Sequence, residues 1–166
     1  MSLPDKIFLI GMPGSGKTTA GKLLAEHLSV QFIDLDEQIE VKAESTIKEI
    51  FEEHDEEYFR ELEQQTLHEV IKLTDKAVIA TGGGTPCFFD NMDVMKASGL
   101  TVYIMTPLKT IEDRINHTER SKRPKFADGD LAEKLEQLNQ ERSAFYGEAD
   151  IVWNGEHFSE LLALLK

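Results

Sequence analysis

The residues from Gly11 to Thr19 read GMPGSGKTT and directly follow an apolar run at positions 7–10. They fit the pattern G-x-x-x-x-G-K-[ST], in which glycines let backbone N–H groups turn inward toward phosphate oxygens. Lys17 would add a positive charge at the outer phosphates, and Thr18 would offer a hydroxyl to Mg²⁺. A helix beginning near Lys17 would contribute its positive N-terminal end. A plain glycine-rich turn would leave Lys17 and Thr18 unexplained. The pattern therefore predicts a nucleotide-phosphate site formed by Gly14, Ser15, Gly16, Lys17, Thr18 and Thr19.

Two aspartates close the second apolar run, which reads Phe32-Ile33-Asp34-Leu35-Asp36. Residues i and i+2 of an extended segment point the same way, so Asp34 and Asp36 are expected to face one side. They would do so at the carboxyl end of a strand, where open α/β sheets bind ligands. Two like charges this close favour a cation or a hydrogen-bond donor between them, and either Mg²⁺ or a substrate hydroxyl would serve. The alternative is that Asp36 only caps the next helix.

Three glycines in a row, at positions 82–84, follow the apolar run at 77–81. Glycine lets the backbone approach a ligand very closely and offers N–H groups that no side chain obstructs. A tight turn is the alternative, although it usually needs only one or two glycines. The glycines are therefore candidate ligand-binding residues.

Arginines at positions 60 and 142 are the candidate anion-binding residues. Arg142 falls on the apolar stripe of a predicted helix over 130–146, and that stripe carries Leu131, Leu135, Leu138 and Phe145. A guanidinium there should face inward, toward an anionic ligand or a structural carboxylate, unless it extends to the edge. Arg60 lies within a predicted helix, and taken alone it would be a surface residue paired with Glu56 or Glu63.

A basic segment lies at 118–129 and reads TERSKRPKFADG. It is polar, and it reverses the sign of the charge locally with Arg120, Lys122, Arg123 and Lys125. A surface loop with no function is one interpretation. A lid that closes over a ligand has the same composition and is the other.

Elements that could position these residues alternate along the chain. Short apolar runs predict strands over 6–10, 31–34, 77–81, 101–105 and 150–153, and several are apolar throughout, as in a parallel sheet covered on both faces. Helical patterns lie over 17–28, 37–42, 46–73, 91–97, 108–117, 130–146 and 158–165. Strands separated by helices predict a three-layer, doubly wound α/β fold.

The amino-acid composition limits the kinds of partner that the protein is expected to bind. The chain has 166 residues, which favours one domain, and its 18 basic against 31 acidic side chains give a formal charge of −13. Such a charge disfavours binding to nucleic acid or to an anionic membrane, but a small anion remains possible where arginines converge. One cysteine, Cys87, and scattered histidines predict no disulfide and no zinc site. A cytoplasmic location is expected, because the N-terminal residues lack a signal-peptide pattern.

Taken together, the stretches GMPGSGKTT, FIDLDEQIE, FRELE, ATGGGTP, the Arg123-Pro124 pair and ERSAFY resemble the motifs of shikimate kinases. Their order and spacing agree over nearly the whole chain. The resemblance implies a P-loop kinase fold of the nucleoside-monophosphate-kinase type with a five-stranded parallel sheet, all within one domain over 1–166. It also implies a substrate-binding subregion at about 36–73 and a mobile lid at about 118–129. The implied activity is the ATP-dependent phosphorylation of shikimate to 3-phosphoshikimate with Mg²⁺, by an enzyme that we expect to be a monomer.

The resemblance also assigns roles to individual residues. It makes Lys17, Asp36 and Arg123 the catalytic set, with Asp36 on a shikimate hydroxyl and Arg123 reaching the transferring phosphate from the lid. Asp34 would support Mg²⁺ together with Thr18. The shikimate site would comprise Asp36, Arg60, Gly82, Gly83, Gly84 and Arg142, and the two arginines would hold the carboxylate. The nucleotide site would extend beyond the glycine-rich loop to Arg120 and Asn154, near the adenine.

Other functions remain open at this point. A gluconate or nucleotide kinase of the same fold would share the phosphate site. A neutral sugar does not need two inward arginines, although gluconate carries a carboxylate, and a nucleotide kinase would bind a second base and phosphate instead. A GTP-binding switch protein would normally carry an NKxD-like guanine motif, and the sequence has none. A protein that binds its ligands without catalysis is the third alternative. ADP release with and without shikimate separates these functions.

Overall fold

A computed structural model describes residues 2–118 and 130–166 of the chain. In that part, the strands are β1 (Lys6–Ile10), β2 (Gln31–Asp34), β3 (Ala77–Ala80), β4 (Leu100–Ile104) and β5 (Ile151–Trp153). The helices are α1 (Lys17–Leu28), α2 (Leu35–Ala43), α3 (Ile47–Glu53), α4 (Glu56–Leu73), α5 (Asn91–Ser98), α6 (Leu108–Asn116), α7 (Leu131–Tyr146) and α8 (Phe158–Leu164). A short 3₁₀ helix spans Thr85–Cys87.

The strands form one parallel sheet in the order β2-β3-β1-β4-β5. The chain steps from β1 outward to one edge and later to the other, which is the doubly wound topology that the alternation of strands and helices predicts. β1 pairs with both β3 and β4, with Leu9 beside Ala80 and Ile10 beside Tyr103. The order reverses at β1, so a crevice opens at the carboxyl ends of the central strands, where such sheets bind ligands.

Two apolar cores cover the two faces of the sheet and make the fold three-layered. One core includes Leu24 of α1 and Leu161 of α8. The other core includes Leu67 of α4 and Tyr146 of α7. Burial on both faces explains why the run at 7–10 is apolar throughout.

The predicted helix over 46–73 is wrong as a single element, because the structure contains two helices there. α3 ends at Glu53, and His54 is extended, with φ −132°. The carboxylate of Asp55 then accepts a hydrogen bond of 2.9 Å from the backbone N–H of Tyr58 and caps α4. A capping aspartate between two amphipathic segments breaks the helix without any glycine or proline.

The extended conformation predicted through Asp36 is also wrong. β2 ends at Asp34, and α2 begins at Leu35, so Asp36 lies in the first turn of a helix. Asp34 is the capping residue: its Oδ1 accepts hydrogen bonds from the backbone N–H groups of Asp36 at 3.0 Å and Glu37 at 3.4 Å. Asp34 and Asp36 therefore lie side by side because Asp34 caps the helix that carries Asp36, and not because both project from one face of a strand.

The stripe predicted on α7 needs one correction. Leu131, Leu135 and Arg142 are buried, but Phe145 is 37% exposed, and Tyr146 is fully buried in its place.

Among the helices of the described residues, none combines the length and the apolar character that crossing a membrane requires.

Candidate functional site

The segment between β1 and α1, which we call the phosphate loop (residues 11–16), is shaped by its own backbone. Gly14 and Gly16 have φ angles of 79° and 99°, in the left-handed region that side chains disfavour. The backbone N–H of Ser15 donates to the Met12 carbonyl at 3.1 Å. The ammonium of Lys17 donates to the carbonyls of Gly11 and Met12, both at 2.8 Å, so the lysine lies across the loop.

Two side chains from distant elements hold this loop from outside. The Thr106 hydroxyl donates to the Ser15 carbonyl at 2.7 Å, and Nη1 of Arg114 on α6 donates to the Gly14 carbonyl at 3.2 Å. The hydroxyl of Ser15 is buried and has no hydrogen-bond partner in the described part of the chain. A buried hydroxyl of this kind on a loop rich in N–H groups suits an incoming anionic oxygen.

Asp34 links the phosphate loop to α2. Its Oδ2 accepts a hydrogen bond of 3.2 Å from the Thr18 hydroxyl, whereas its Oδ1 caps α2. A carboxylate and a hydroxyl are the oxygen donors that Mg²⁺ prefers, and they face each other beside the loop. The donor set of Thr18 and Asp34 therefore fits a magnesium ion.

Oxygen atoms gather around Gly82. A Cβ placed on this glycine would lie 3.0 Å from Oδ1 of Asp36, 3.0 Å from Oε2 of Glu63 and 3.1 Å from the Thr85 hydroxyl. Burial raises the pKa of Asp36 to about 7, and the charges of Glu63 and Asp34 add to this rise, whereas Lys17 opposes it. The carboxyl group of Asp36 therefore titrates near neutral pH.

Arg60 is 4% exposed, and its Nη atoms are hydrogen-bonded, whereas its Nε is buried and has no hydrogen-bond partner among the described residues. Its Nη1 donates to Oε1 of Glu63 at 2.9 Å, its Nη2 donates to Oε1 of Glu56 at 3.2 Å, and its guanidinium lies 4.1 Å from the ring centre of Phe88. Oε2 of Glu63 accepts a further hydrogen bond of 2.8 Å from Thr85. Both charges of this pair are thus compensated, which a buried ion pair requires.

Arg142 is 5% exposed and lies beside the glycine turn, where a Cβ on Gly83 would be 3.0 Å from its Nη1. A Cβ on Gly84 would meet Nη1 of Arg60 at 2.5 Å. From the sequence, these glycines were expected to allow the close approach of a ligand. The structure gives another reason, because the missing side chains make room for two of the protein's own arginines.

A single cavity of about 1270 Å³ joins these groups. We call the set of Asp36, Arg60, Glu63, Arg142 and residues 82–84 the arginine pocket. The cavity is lined by this set and, at its other end, by Gly14, Ser15, Gly16, Lys17, Thr18 and Thr19. It thus brings the two predicted halves of the site together.

One predicted nucleotide-site residue does not line the cavity, and two predicted arginines are not described by the structure. Asn154 is not among the lining residues, although its neighbours Trp153 and Gly155 are, and its Oδ1 accepts a hydrogen bond of 3.0 Å from the backbone N–H of Glu156. Arg120 and Arg123 belong to the segment 119–129 and lie outside the described residues.

The burial of Glu63 and the place of Arg114 in the site were not predicted from the sequence. Glu63 is 0% exposed, but its spacing of three from Arg60 is also that of an ordinary surface pair. Arg114 lines the cavity, and its one sequence signal was a basic residue in the last turn of α6. Cys87 is half-buried, and burial raises the pKa of its thiol to about 11, so the thiol stays protonated.

Comparisons with known proteins agree with this geometry. The sequence model of the shikimate kinase family matches residues 13–163. A shikimate kinase of Azobacteroides pseudotrichonymphae is 44% identical over 151 residues, which cover 89% of this chain and 88% of that protein. The structure of a shikimate kinase from Acinetobacter baumannii in complex with shikimate is similar with a TM-score of 0.91 at 34% identity, over 98% of this chain and 93% of that one. The crystal structure of a shikimate kinase from Bacteroides thetaiotaomicron has a TM-score of 0.89 at 37% identity, over 96% and 97% of the two chains.

Proposed function

The chain belongs to the shikimate kinase family, and from this premise we propose how its residues bind and convert the two substrates. The reaction is the ATP-dependent phosphorylation of shikimate, which yields ADP and 3-phosphoshikimate. One observation supports the assignment of residues above all others: the arginine pocket and the phosphate loop open into the same cavity.

Shikimate binds in the arginine pocket. Arg60 and Arg142 hold its carboxylate, because two buried guanidinium groups can form charge-assisted hydrogen bonds with one planar anion. Asp36 accepts a hydrogen bond from the hydroxyl that attacks, and the backbone of residues 82–84 lines the pocket. The residues at about 36–73 form the substrate-binding subregion, since they carry both Asp36 and Arg60.

The phosphates of ATP bind along the phosphate loop. Backbone N–H groups of Gly14 and Gly16 face the phosphate oxygens, and Ser15 offers its buried hydroxyl. Thr19 lies in the first turn of α1, and Lys17 exchanges carbonyl partners for phosphate oxygens. Thr18 and Asp34 hold Mg²⁺, whose charge neutralises phosphate oxygens when it is bound. Arg114 adds a positive charge beside Gly14.

Asp36 can do more than orient the hydroxyl. An ordinary carboxylate is a weak base, but a group with a pKa of about 7 holds a proton more readily and still ionises near neutral pH. Ionised Asp36 therefore aligns the hydroxyl and accepts its proton as the new bond to phosphorus forms. The pH dependence of kcat/KM reports the ionisation of the free enzyme. We expect kcat/KM for shikimate to rise through about pH 7 as Asp36 loses its proton.

The remaining assignments concern the surroundings of the site. We propose that 118–129 form the lid, that Arg123 reaches the transferring phosphate from it, and that Arg120 and Asn154 lie near the adenine. A lid that excludes water favours transfer to shikimate over hydrolysis. The protein is a cytoplasmic monomer in this proposal, with small-molecule partners and neither nucleic acid nor membrane among them.

ADP release with and without shikimate tests the proposal. Arg142→Ala and Arg60→Ala should each raise the KM for shikimate by about a hundredfold, since each removes a charged contact, and should change the KM for ATP by less than about threefold. Arg114→Gln is the reciprocal variant, because it should raise the KM for ATP alone. Equal effects on both substrates, or ADP release that gluconate supports as well as shikimate does, would contradict the proposed site.

A further inference from the structure

The hydroxyl of Tyr146 connects the two sides of the arginine pocket. It donates a hydrogen bond of 2.6 Å to the carbonyl of Gly83, which lies sixty-three positions away in the sequence. The side chain is the largest of those that are fully buried among the described residues, and it follows Arg142 by one helical turn on α7. A tyrosine this deep in a core needs a partner for its hydroxyl, and here that partner is a backbone atom of the glycine turn.

Arg142 acts on the same hydroxyl. Burial raises the pKa of Tyr146 far above its usual range, while the charge of Arg142 and a hydrogen-bonding contact from its side chain oppose that rise. The hydroxyl therefore stays protonated at any pH at which the protein is active. It can donate to Gly83 and interact through its oxygen with Arg142 at the same time.

Gly83 lies between the two substrate regions. A Cβ there would be 2.7 Å from Cδ of Pro13 in the phosphate loop and 3.0 Å from Nη1 of Arg142. A small shift of this glycine would therefore change the distance between the arginine and the phosphate loop. Its N–H group and those of its neighbours can hold shikimate only if the turn stays in place.

We propose that the hydroxyl of Tyr146 is a positioning group for the acceptor substrate: it holds the Gly83 carbonyl and the Arg142 guanidinium in register with each other. This inference rests on the proposed function, in which Arg142 binds the shikimate carboxylate. Tyr146 itself does not touch substrate in this arrangement. It acts through the two groups that do, and a phenylalanine would fill its space without holding either of them.

Tyr146→Phe tests this, because it removes one oxygen and keeps the ring that packs 5.0 Å from the ring of Tyr103. We expect the KM for shikimate to rise about tenfold, the size of effect that an unsatisfied buried carbonyl produces, while the KM for ATP changes by less than about twofold. Tyr103→Phe is the matched control, since it removes a hydroxyl from the same aromatic pair without touching the glycine turn. Its KM values should stay at those of the wild type.

Two further measurements separate positioning from packing. The first is a double-mutant cycle with Arg142→Ala: if Tyr146 acts through Arg142, Tyr146→Phe should raise the KM for shikimate by less than about twofold in the Arg142→Ala background. The second is thermal unfolding, which detects a general loosening of the fold. A wild-type KM for shikimate in Tyr146→Phe, equal rises in both KM values together with a lower Tm, or full additivity in the cycle would each overturn the inference.

The cycle also distinguishes this inference from the proposed function. If Arg142→Ala leaves the KM for shikimate unchanged, the carboxylate contact itself is wrong, whatever Tyr146→Phe does. If Arg142→Ala raises that KM and Tyr146→Phe does not, the carboxylate contact stands, and the positioning role of Tyr146 falls alone.

Discussion

The two ends of the cavity have different walls. Near Gly14 and Ser15 the wall is formed by the main chain. Near Gly82 and Gly84 it is formed by charged side chains, which fit because these glycines have no side chain. The phosphate loop comes from one continuous stretch, and two hydrogen bonds from elsewhere hold it. The arginine pocket draws on α2, α4, α7 and the turn after β3. It also concentrates opposed charges in a buried place, which the phosphate loop does not.

This difference has a general meaning for sites of this kind. A phosphate group can be recognised by backbone N–H groups, which any sequence with the right glycines provides. A small ring with one carboxylate and several hydroxyls needs side chains of both signs, and these must be neutralised in the absence of the ligand. The phosphate loop is therefore local in sequence and does not bury opposed charges. The residues of the arginine pocket are dispersed in the sequence, and burying their charges lowers the stability of the fold.

The largest test of this contrast is Lys17→Ala. Loss of a preorganised charge at the phosphates should lower kcat by about a thousandfold. The affinity for shikimate in the absence of nucleotide should change by less than about twofold, because Lys17 acts on the arginine pocket only through its charge near Asp36 and does not hold the carboxylate. Steady-state kinetics and titration calorimetry measure the two effects.

Lys22→Ala is the control for that variant, since Lys22 is exposed on the same helix. It should keep wild-type turnover. Nearly full activity in Lys17→Ala, or a parallel loss of shikimate affinity, would mean that the two halves of the site are not independent.

Asp36→Asn tests whether the buried carboxyl group of the arginine pocket lowers the free energy of unfolding. Because the pKa of Asp36 rises from 3.8 to about 7 on folding, the native state holds a proton that the unfolded chain has lost between these values. Stability therefore falls as the pH increases through that interval and stays low above it. The asparagine variant escapes this loss, so its unfolding free energy should exceed that of the wild type by roughly 2–4 kcal/mol at about pH 8.

Urea unfolding at about pH 8, 6 and 4 measures this difference, which should shrink toward pH 4. Activity should be lost, since asparagine cannot take up the proton of the attacking hydroxyl. Asp93→Asn on the exposed face of α5 is the matched control and should show no pH-dependent gain. An asparagine variant at position 36 that is less stable than the wild type at pH 8 would refute the idea of a costly pocket.

Gly84→Ala gives an effect confined to the arginine pocket. The new methyl group would lie 2.5 Å from Nη1 of Arg60, so the guanidinium must move. We expect the KM for shikimate to rise about tenfold to a hundredfold, the range that forced overpacking produces, with the KM for ATP unchanged.

Gly147→Ala provides the comparison for that substitution. This glycine follows α7 with a φ of −65°, and a Cβ there would have its nearest neighbour at 3.3 Å. Both KM values should stay close to those of the wild type. A Gly84→Ala protein with normal shikimate binding would mean that Arg60 does not hold the acceptor.

The smallest expected effect concerns the support of the phosphate loop. Thr106→Val removes the hydrogen bond to the Ser15 carbonyl and should raise the KM for ATP about threefold, with the KM for shikimate unchanged. Thr66→Val is the control, because the hydroxyl of Thr66 bonds to the Leu62 carbonyl within α4. A change in shikimate binding alone would reverse the assignment of the loop.

The same contrast explains what the sequence could predict. The strand over 6–10 and the helix over 17–28 were correct to the residue, because the apolar run and the glycine pattern are contiguous. The order β2-β3-β1-β4-β5 was not predicted, because the alternation of strands and helices does not determine which strands are neighbours. The break at His54 was missed, since the cap by Asp55 is a single side-chain hydrogen bond within a pattern that remains helical on both sides.

The arginine pocket was less accessible to such reasoning. Arg142 could be placed inside because it shares a stripe with leucines, but Arg60 looked like a surface residue until the resemblance to shikimate kinases was considered. Glu63 could not be identified as buried, because a glutamate three positions after an arginine has the same local pattern on a surface helix. Contacts between α4 and the turn after β3 decide its burial, and these arise only on folding.

Asp34 divides its two oxygens between different tasks, since Oδ1 fastens the first turn of α2 and Oδ2 meets the Thr18 hydroxyl. Rearrangement on the Thr18 side during each catalytic cycle can therefore leave the helix that carries Asp36 undisturbed. One carboxylate thus serves two elements separately, since its hydrogen bonds to the start of α2 do not depend on the partner that its other oxygen has.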